Sequence, residues 1–142
     1  MARVLESVLM PFEASKIYEI VNDVGSYAEF LPWCVESRVI EEDDESMRAS
    51  ITIRKGGFSY SLTTNNRLNF GRAISLEFSE GPFKYLKGAW SFVPTESGCK
   101  VKLELDFEAE NKLLDIALNA ASKPVAMTLM RSFRKRAYEL LG

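Results

Sequence analysis

The chain has 142 residues, 46% hydrophobic and 27% charged, with 18 Lys and Arg against 20 Asp and Glu for a formal charge of −2. That length and balance predict one domain, residues 1–142, able to bury about two thirds of its unfolded surface without disulfides or metals, and they argue against a globally electrostatic role such as coating DNA. There is no histidine, which removes Ser-His and Cys-His pairs, histidine metal ligands and an imidazole base near neutral pH.

The N-terminus shows no basic segment ahead of an apolar core, and no run approaches the ~18 apolar residues of a membrane span, so a soluble, unprocessed, cytoplasmic chain is expected. Ala2 to Met10 reads as a first strand, stopped by Pro11, which cannot donate to a ladder. A helix over Lys16 to Asn22 follows, with Ser15 as its cap and Ile17, Ile20 and Val21 as its apolar stripe. It ends near Gly25, and Tyr27 to Phe30 predicts a second short helix before Pro32. Tyr27 to Cys34 is aromatic-rich and ends in Pro-Trp-Cys, unsuited to a long helix or a plain strand, and reads as the wall of a cavity.

Alternating strands fill the middle. Val35 to Glu41 leads into the acidic run Glu41 to Glu45, read as a solvated hairpin tip because it lacks the spaced oxygens and glycine of a calcium loop. Met47, Ala49, Ile51 and Ile53 then occupy every second position, Gly56-Gly57 predicts a two-residue hairpin turn, and Phe58, Tyr60 and Leu62 resume the pattern. Turns at Asn69-Phe70-Gly71 and Gly81-Pro82 flank a strand marked by Ile74, Leu76 and Phe78. Leu86, Gly88, Trp90 and Phe92 line one face of a sixth strand, and Val101, Leu103, Leu105 and Phe107 the core face of a seventh. From about Leu113 the period becomes helical, with Met127, Met130, Phe133, Ala137 and Leu140 as the stripe, and Pro124 predicts a kink or break near Ser122. These elements predict an α+β fold: a curved antiparallel sheet of about seven strands wrapped on a long C-terminal helix, with two short helices after the first strand.

Catalytic parts are scarce. The acids fall on outward strand positions or in the acidic run, where solvation keeps their pKa values ordinary, and no phosphate-binding glycine loop is present. Cys34 and Cys99 suit neither a disulfide framework nor a zinc knuckle, and Cys34 reads as a small buried apolar side chain in a reducing compartment. Inward-facing rings and thioethers are abundant instead. Phe30, Trp33, Phe58, Tyr60, Phe83, Trp90, Leu103, Leu105, Met127, Met130 and Phe133 are the candidate lining of an apolar tunnel, with Tyr60, Tyr85 and the Trp90 indole as polar handles for a carbonyl or quinone. The last helix is locally basic, and Arg131, Arg134 and Lys135 form a candidate surface for phosphate on RNA or on an anionic membrane.

Asp23-Val24 followed by Tyr27, then Phe30-Leu31-Pro32-Trp33-Cys34, Gly81-Pro82-Phe83 with Leu86 and Trp90, and Ser132-Phe133 with Arg136-Ala137 carry a resemblance over nearly the whole length. The chain resembles the START-like (helix-grip) polyketide cyclase/dehydrase superfamily, in the branch of the coenzyme Q-binding proteins and ribosome-association toxins. The resemblance implies a tunnel between sheet and helix and no required cofactor. It implies a bound ubiquinone or other isoprenoid lipid supporting respiration, with a site peripheral to the inner membrane. Its alternative is a toxin that binds the large ribosomal subunit and blocks subunit joining. A polyketide cyclase or dehydrase is the third reading, disfavoured by the missing histidine.

Overall fold

The computed structural model describes residues 2–55 and 57–142, with the backbone alone for Ala2 and Phe58. Seven strands, β1 (Ala2–Met10), β2 (Cys34–Glu42), β3 (Ser46–Lys55), β4 (Phe58–Asn69), β5 (Ala73–Glu80), β6 (Phe83–Thr95) and β7 (Gly98–Ala109), form one sheet in the order β1-β7-β6-β5-β4-β3-β2. Every pairing is antiparallel. α1 (Ala14–Asn22), a 3₁₀ turn (Val24–Ser26) and α2 (Tyr27–Phe30) lie between β1 and β2, and α3 (Lys112–Leu141) ends the chain. This is the helix-grip arrangement that the periodicity predicts.

From β2 to β7 consecutive strands are joined by short turns, and β1 closes the sheet against β7, with Val4 opposite Leu105 and Met10 opposite Cys99. The register shifts within the β2–β3, β4–β5 and β6–β7 pairs; such bulges strengthen local twist and bend the sheet. Gly71, at φ 74°, makes the left-handed turn between β4 and β5. Gly88 serves close approach instead, since a Cβ there would fall 2.1 Å from the Glu104 carbonyl oxygen on β7. Of the expected Gly56-Gly57 turn, Gly56 lies outside the described residues, and Lys55 pairs with Phe58 across it. The acidic tip is held by Asp43, whose Oδ1 accepts from the backbone N–H of Glu45 and Ser46 at 2.8 and 2.9 Å.

Three expectations need correction. α1 starts at Ala14, with Glu13 at the cap position and no side-chain cap; Ser15 lies inside the first turn. Starting there buries Ala14 with Ile17, Tyr18 and Val21, while Ile20 stays half-buried. α3 runs through Pro124 as one helix, without the break that is one of the two outcomes expected near Ser122. Proline cannot donate to the Ala120 carbonyl, a loss of about 3 kcal/mol in a helix interior, but the helix is held on both sides by burial of Leu114 and Ala126. Ser122 Oγ and Asn119 Nδ2 donate to the carbonyls of Asn119 and Asp115, at 3.0 and 2.7 Å, in the turns just before it. The helix start is secured by Asn111, whose Oδ1 accepts from Leu114 N–H at 2.8 Å.

The third correction concerns the buried stripe of α3, which is Leu114, Ala126, Met130, Phe133 and Ala137. Met127 is 39% exposed and Leu140 55%. With about 100° between successive residues, seating Ala126 against the sheet turns Met127 outward, and Leu140 lies in the last turn. Phe133 is the hub of the core: its ring meets Tyr27, Phe30 and Trp90 edge-on at centroid distances of 5.3, 5.3 and 5.4 Å. A second cluster, Val4, Leu86, Phe107 and Ala126, packs against the middle of the helix. Phe133→Ala should therefore cost about 3–5 kcal/mol and Met127→Ala less than about 0.5 kcal/mol, as read by urea unfolding followed by circular dichroism.

Candidate functional site

α3 packs on β1, β7 and α1, and α1 on β6 and β7. The concave face of β3 to β5 is left to the short segment running from the 3₁₀ turn into β2. Between them lies a cavity of about 220 Å³. Val24, Tyr27, Leu31 and Trp33 line it from that segment, Ala49, Ile51 and Ile53 from β3, and Leu62, Thr64 and Asn66 from β4. Leu76, Leu86, Trp90, Leu103 and Leu105 complete the sheet side, and Val125 and Leu129 close it from α3. Ile51, Ile53, Leu62, Leu76, Leu105, Val125 and Leu129 are only half-buried, so the sheet and helix do not fully satisfy each other's apolar surface here.

Of the candidate lining residues, Trp33, Trp90, Leu103 and Leu105 meet at this cavity. Phe30, Met130 and Phe133 lie outside its lining, packed with the core. Tyr60 is half-buried at the β3–β4 end of the same β4 face. Phe83 belongs to the second cluster, against Phe78 and Phe107 at 6.0 and 5.9 Å, and Met127 faces outward. The Phe58 side chain lies outside the described residues. Tyr85 stands opposite Glu108 on β7, and burial, with the charges of Glu108, Asp106 and Asp115, raises its hydroxyl pKa. It sits with the outward acids and is no handle for the cavity.

The polar content of the wall is small: the Trp90 indole is an expected part of it, and Thr64 and Asn66 are unexpected. Thr64 Oγ1 donates to Asn66 Oδ1 at 2.7 Å, and Asn66 is buried. Trp33 is 8% exposed, and its indole Nε1 is buried with no hydrogen-bond partner among the described residues. Tyr27 is the only titratable residue of the described lining; its hydroxyl donates to the Val21 carbonyl, and burial, then Asp23 and Cys34, drives its pKa upward, so it stays neutral. Thr64 and Asn66 carried a signal in the sequence. They interrupt the alternation of Leu62 and Leu68 with polar residues at inward positions.

Cys34 is buried beside this wall, and burial pushes its thiol up, against smaller opposing hydrogen bonds from Glu36 and Ser37. Burial alone raises Cys99. On the outside of α3, Arg131, Arg134 and Lys135 are exposed, and the Arg134 guanidinium lies 5.9 Å over the Tyr138 ring. Arg136 is spent inward, 3.6 Å from Glu29 and 5.0 Å over the Phe30 ring. Among the described residues no group of three or more His, Cys, Asp and Glu could hold a metal ion, and no helix is long and apolar enough to cross a membrane.

A sequence profile described as polyketide cyclase / dehydrase and lipid transport matches residues 10–134. The chain is 37% identical over 141 residues to a ribosome association toxin, RatA, of Escherichia coli strain K12, covering 99% of this chain and 89% of that one. It is 27% identical over 140 residues to a mitochondrial coenzyme Q-binding protein, coq10, of Schizosaccharomyces pombe, covering 92% and 84%. Among solved structures, a START superfamily protein from Mycobacterium smegmatis superposes with a TM-score of 0.84 at 17% identity, covering 99% of each chain.

Raised thiol pKa values and burial predict that both cysteines resist iodoacetamide at pH 8 in the folded chain and are alkylated after unfolding, as read by intact mass. Fast labelling of Cys34 in the folded chain would contradict its placement.

Proposed function

This chain belongs to the polyketide cyclase/dehydrase and lipid transport family, and within it we propose a non-catalytic binding protein whose cavity holds an isoprenoid quinone or a similar apolar ligand. The observation that carries this reading is the aliphatic and indole-lined cavity left between sheet and helix. Its volume, about 220 Å³, lies below the ~300–1,000 Å³ of typical small-molecule pockets, which suits a ring-sized head group with its polyprenyl tail leading outward. A quinone carrier is consistent with the coq10 relative's name. Cyclisation or dehydration needs a placed acid and base, and among the described residues the lining offers only Tyr27, neutral and already bonded to Val21. In this reading the protein works in the cytoplasm, with transient contact at an anionic membrane surface.

Protein purified from a quinone-containing host should yield quinone on organic extraction and mass spectrometry, and added ubiquinone should quench the fluorescence of Trp33 and Trp90, both in the wall. An empty extract together with unquenched fluorescence removes the proposal.

A second reading, ribosome association with inhibition of subunit joining, is favoured by the RatA relative's name and by exposed Arg131, Arg134 and Lys135 on one stretch of α3. Cations that neutralise RNA phosphates release counterions, so binding weakens steeply with salt. The chain should co-sediment with the large ribosomal subunit at low salt and dissociate as salt rises, and the triple change Arg131→Glu, Arg134→Glu and Lys135→Glu should abolish sedimentation. Salt-insensitive binding, or binding unaffected by the triple change, counts against this surface. The two readings use different faces of the molecule and are compatible.

A further inference from the structure

Trp33 enters the cavity from an irregular stretch between α2 and β2, and its ring forms part of the wall. An indole nitrogen is a donor only. Buried tyrosine and tryptophan usually find a partner for that polar atom, because a buried donor without one forfeits the hydrogen bond it made with water. Trp33 Nε1 has none among the described residues. In the same cavity wall, Thr64 and the buried Asn66 take inward positions on β4, where aliphatic side chains would serve packing alone at less desolvation.

We propose that Trp33 is the anchor of the bound ligand: its indole N–H, through a small reorientation of the ring, donates to a carbonyl oxygen of a neutral apolar ligand, with Thr64 and Asn66 as the polar part of the same pocket. This rests on the cavity being a ligand site, as argued above, and narrows the class of ligand. The described lining contains no Lys or Arg, so a carboxylate or phosphate would enter without a countercharge and be rejected. A pure hydrocarbon would leave the indole N–H unpaired. A carbonyl on a compact ring satisfies both constraints.

The test measures binding of two probes with the same tail, decyl-benzoquinone and decylbenzene, to the full chain by isothermal titration calorimetry. Wild type should bind the quinone about tenfold tighter, which is about 1.4 kcal/mol. Trp33→Phe should erase that preference and leave decylbenzene affinity within about twofold of wild type, since one lost hydrogen bond is of that order. Benzothienylalanine at position 33, which keeps the bicyclic shape and lacks the N–H, should reproduce the result if Trp33→Phe folds poorly. Equal weakening of both probes, which means the ring only packs, or a retained quinone preference overturns the inference. If wild type binds neither probe, the cavity reading itself falls and takes the anchor with it.

Discussion

One geometric mismatch governs this molecule: a seven-stranded sheet offers more concave apolar face than one helix can cover. Strands about 4.8 Å apart give a sheet roughly 30 Å wide, and a helix with its side chains is about 10–12 Å across. α3 therefore covers about two strands, and it rests on β1 and β7, with α1 reaching β6 and β7. The other half of the sheet must find its cover elsewhere. It receives the 3₁₀ turn, α2 and the Leu31 to Trp33 stretch, with Val125 and Leu129 of α3 at the border, and the shortfall is the cavity.

A hole of that kind is energetically conspicuous. Mutational cavities cost about 24 cal/mol per Å³ where the surroundings do not collapse, so 220 Å³ corresponds to about 5 kcal/mol if empty and closed. Net stabilities of whole domains are about 5–15 kcal/mol. Small aliphatic groups such as Ala49 and Val125 stand in the wall where larger ones would reduce the void. The core nearby is otherwise well filled, with Phe133 locked among three rings. Dense packing at the hub and open space beside it are two parts of one design: the hub fixes the helix on the sheet, and a fixed helix cannot sink into the gap.

Much of this was legible in the sequence, because a period of two and a period of 3.6 are imposed by backbone geometry and survive in the residue pattern. The seven strands and the long helix follow from it, as do the turn at Gly71 and the acidic tip at Asp43. The cavity was less legible. Large aromatic residues attract attention, yet large residues fill space, and Phe30, Phe83 and Phe133 pack into the core while Ile51, Leu62 and Leu129 border the void. Periodicity also could not separate Met127 from Ala126, neighbours at the edge of one stripe, because closeness of approach to the sheet favours the smaller side chain there. The caps and breaks depended on tertiary packing, which overrode Ser15 and Pro124.

Pro124 connects the two faces of α3. It precedes Val125, which lines the cavity, and it stands one turn ahead of Met127 and two ahead of Arg131 on the exposed side. By removing the donor to Ala120 it leaves the helix without one rung of its ladder at the level of the void. In that stretch Ala126 is buried against the sheet, but Val125 and Leu129 on the cavity side are only half-buried, while Phe133 and Ala137 further along are fully enclosed. Local stability follows buried contact and intact backbone hydrogen bonds, so the cavity-lining part of α3 is held less firmly than the Phe133 turn, which is its anchor. Under the proposed reading, an apolar ligand in the cavity would add the contact that Val125 and Leu129 lack, and would stiffen the helix there while the Phe133 turn stays fixed.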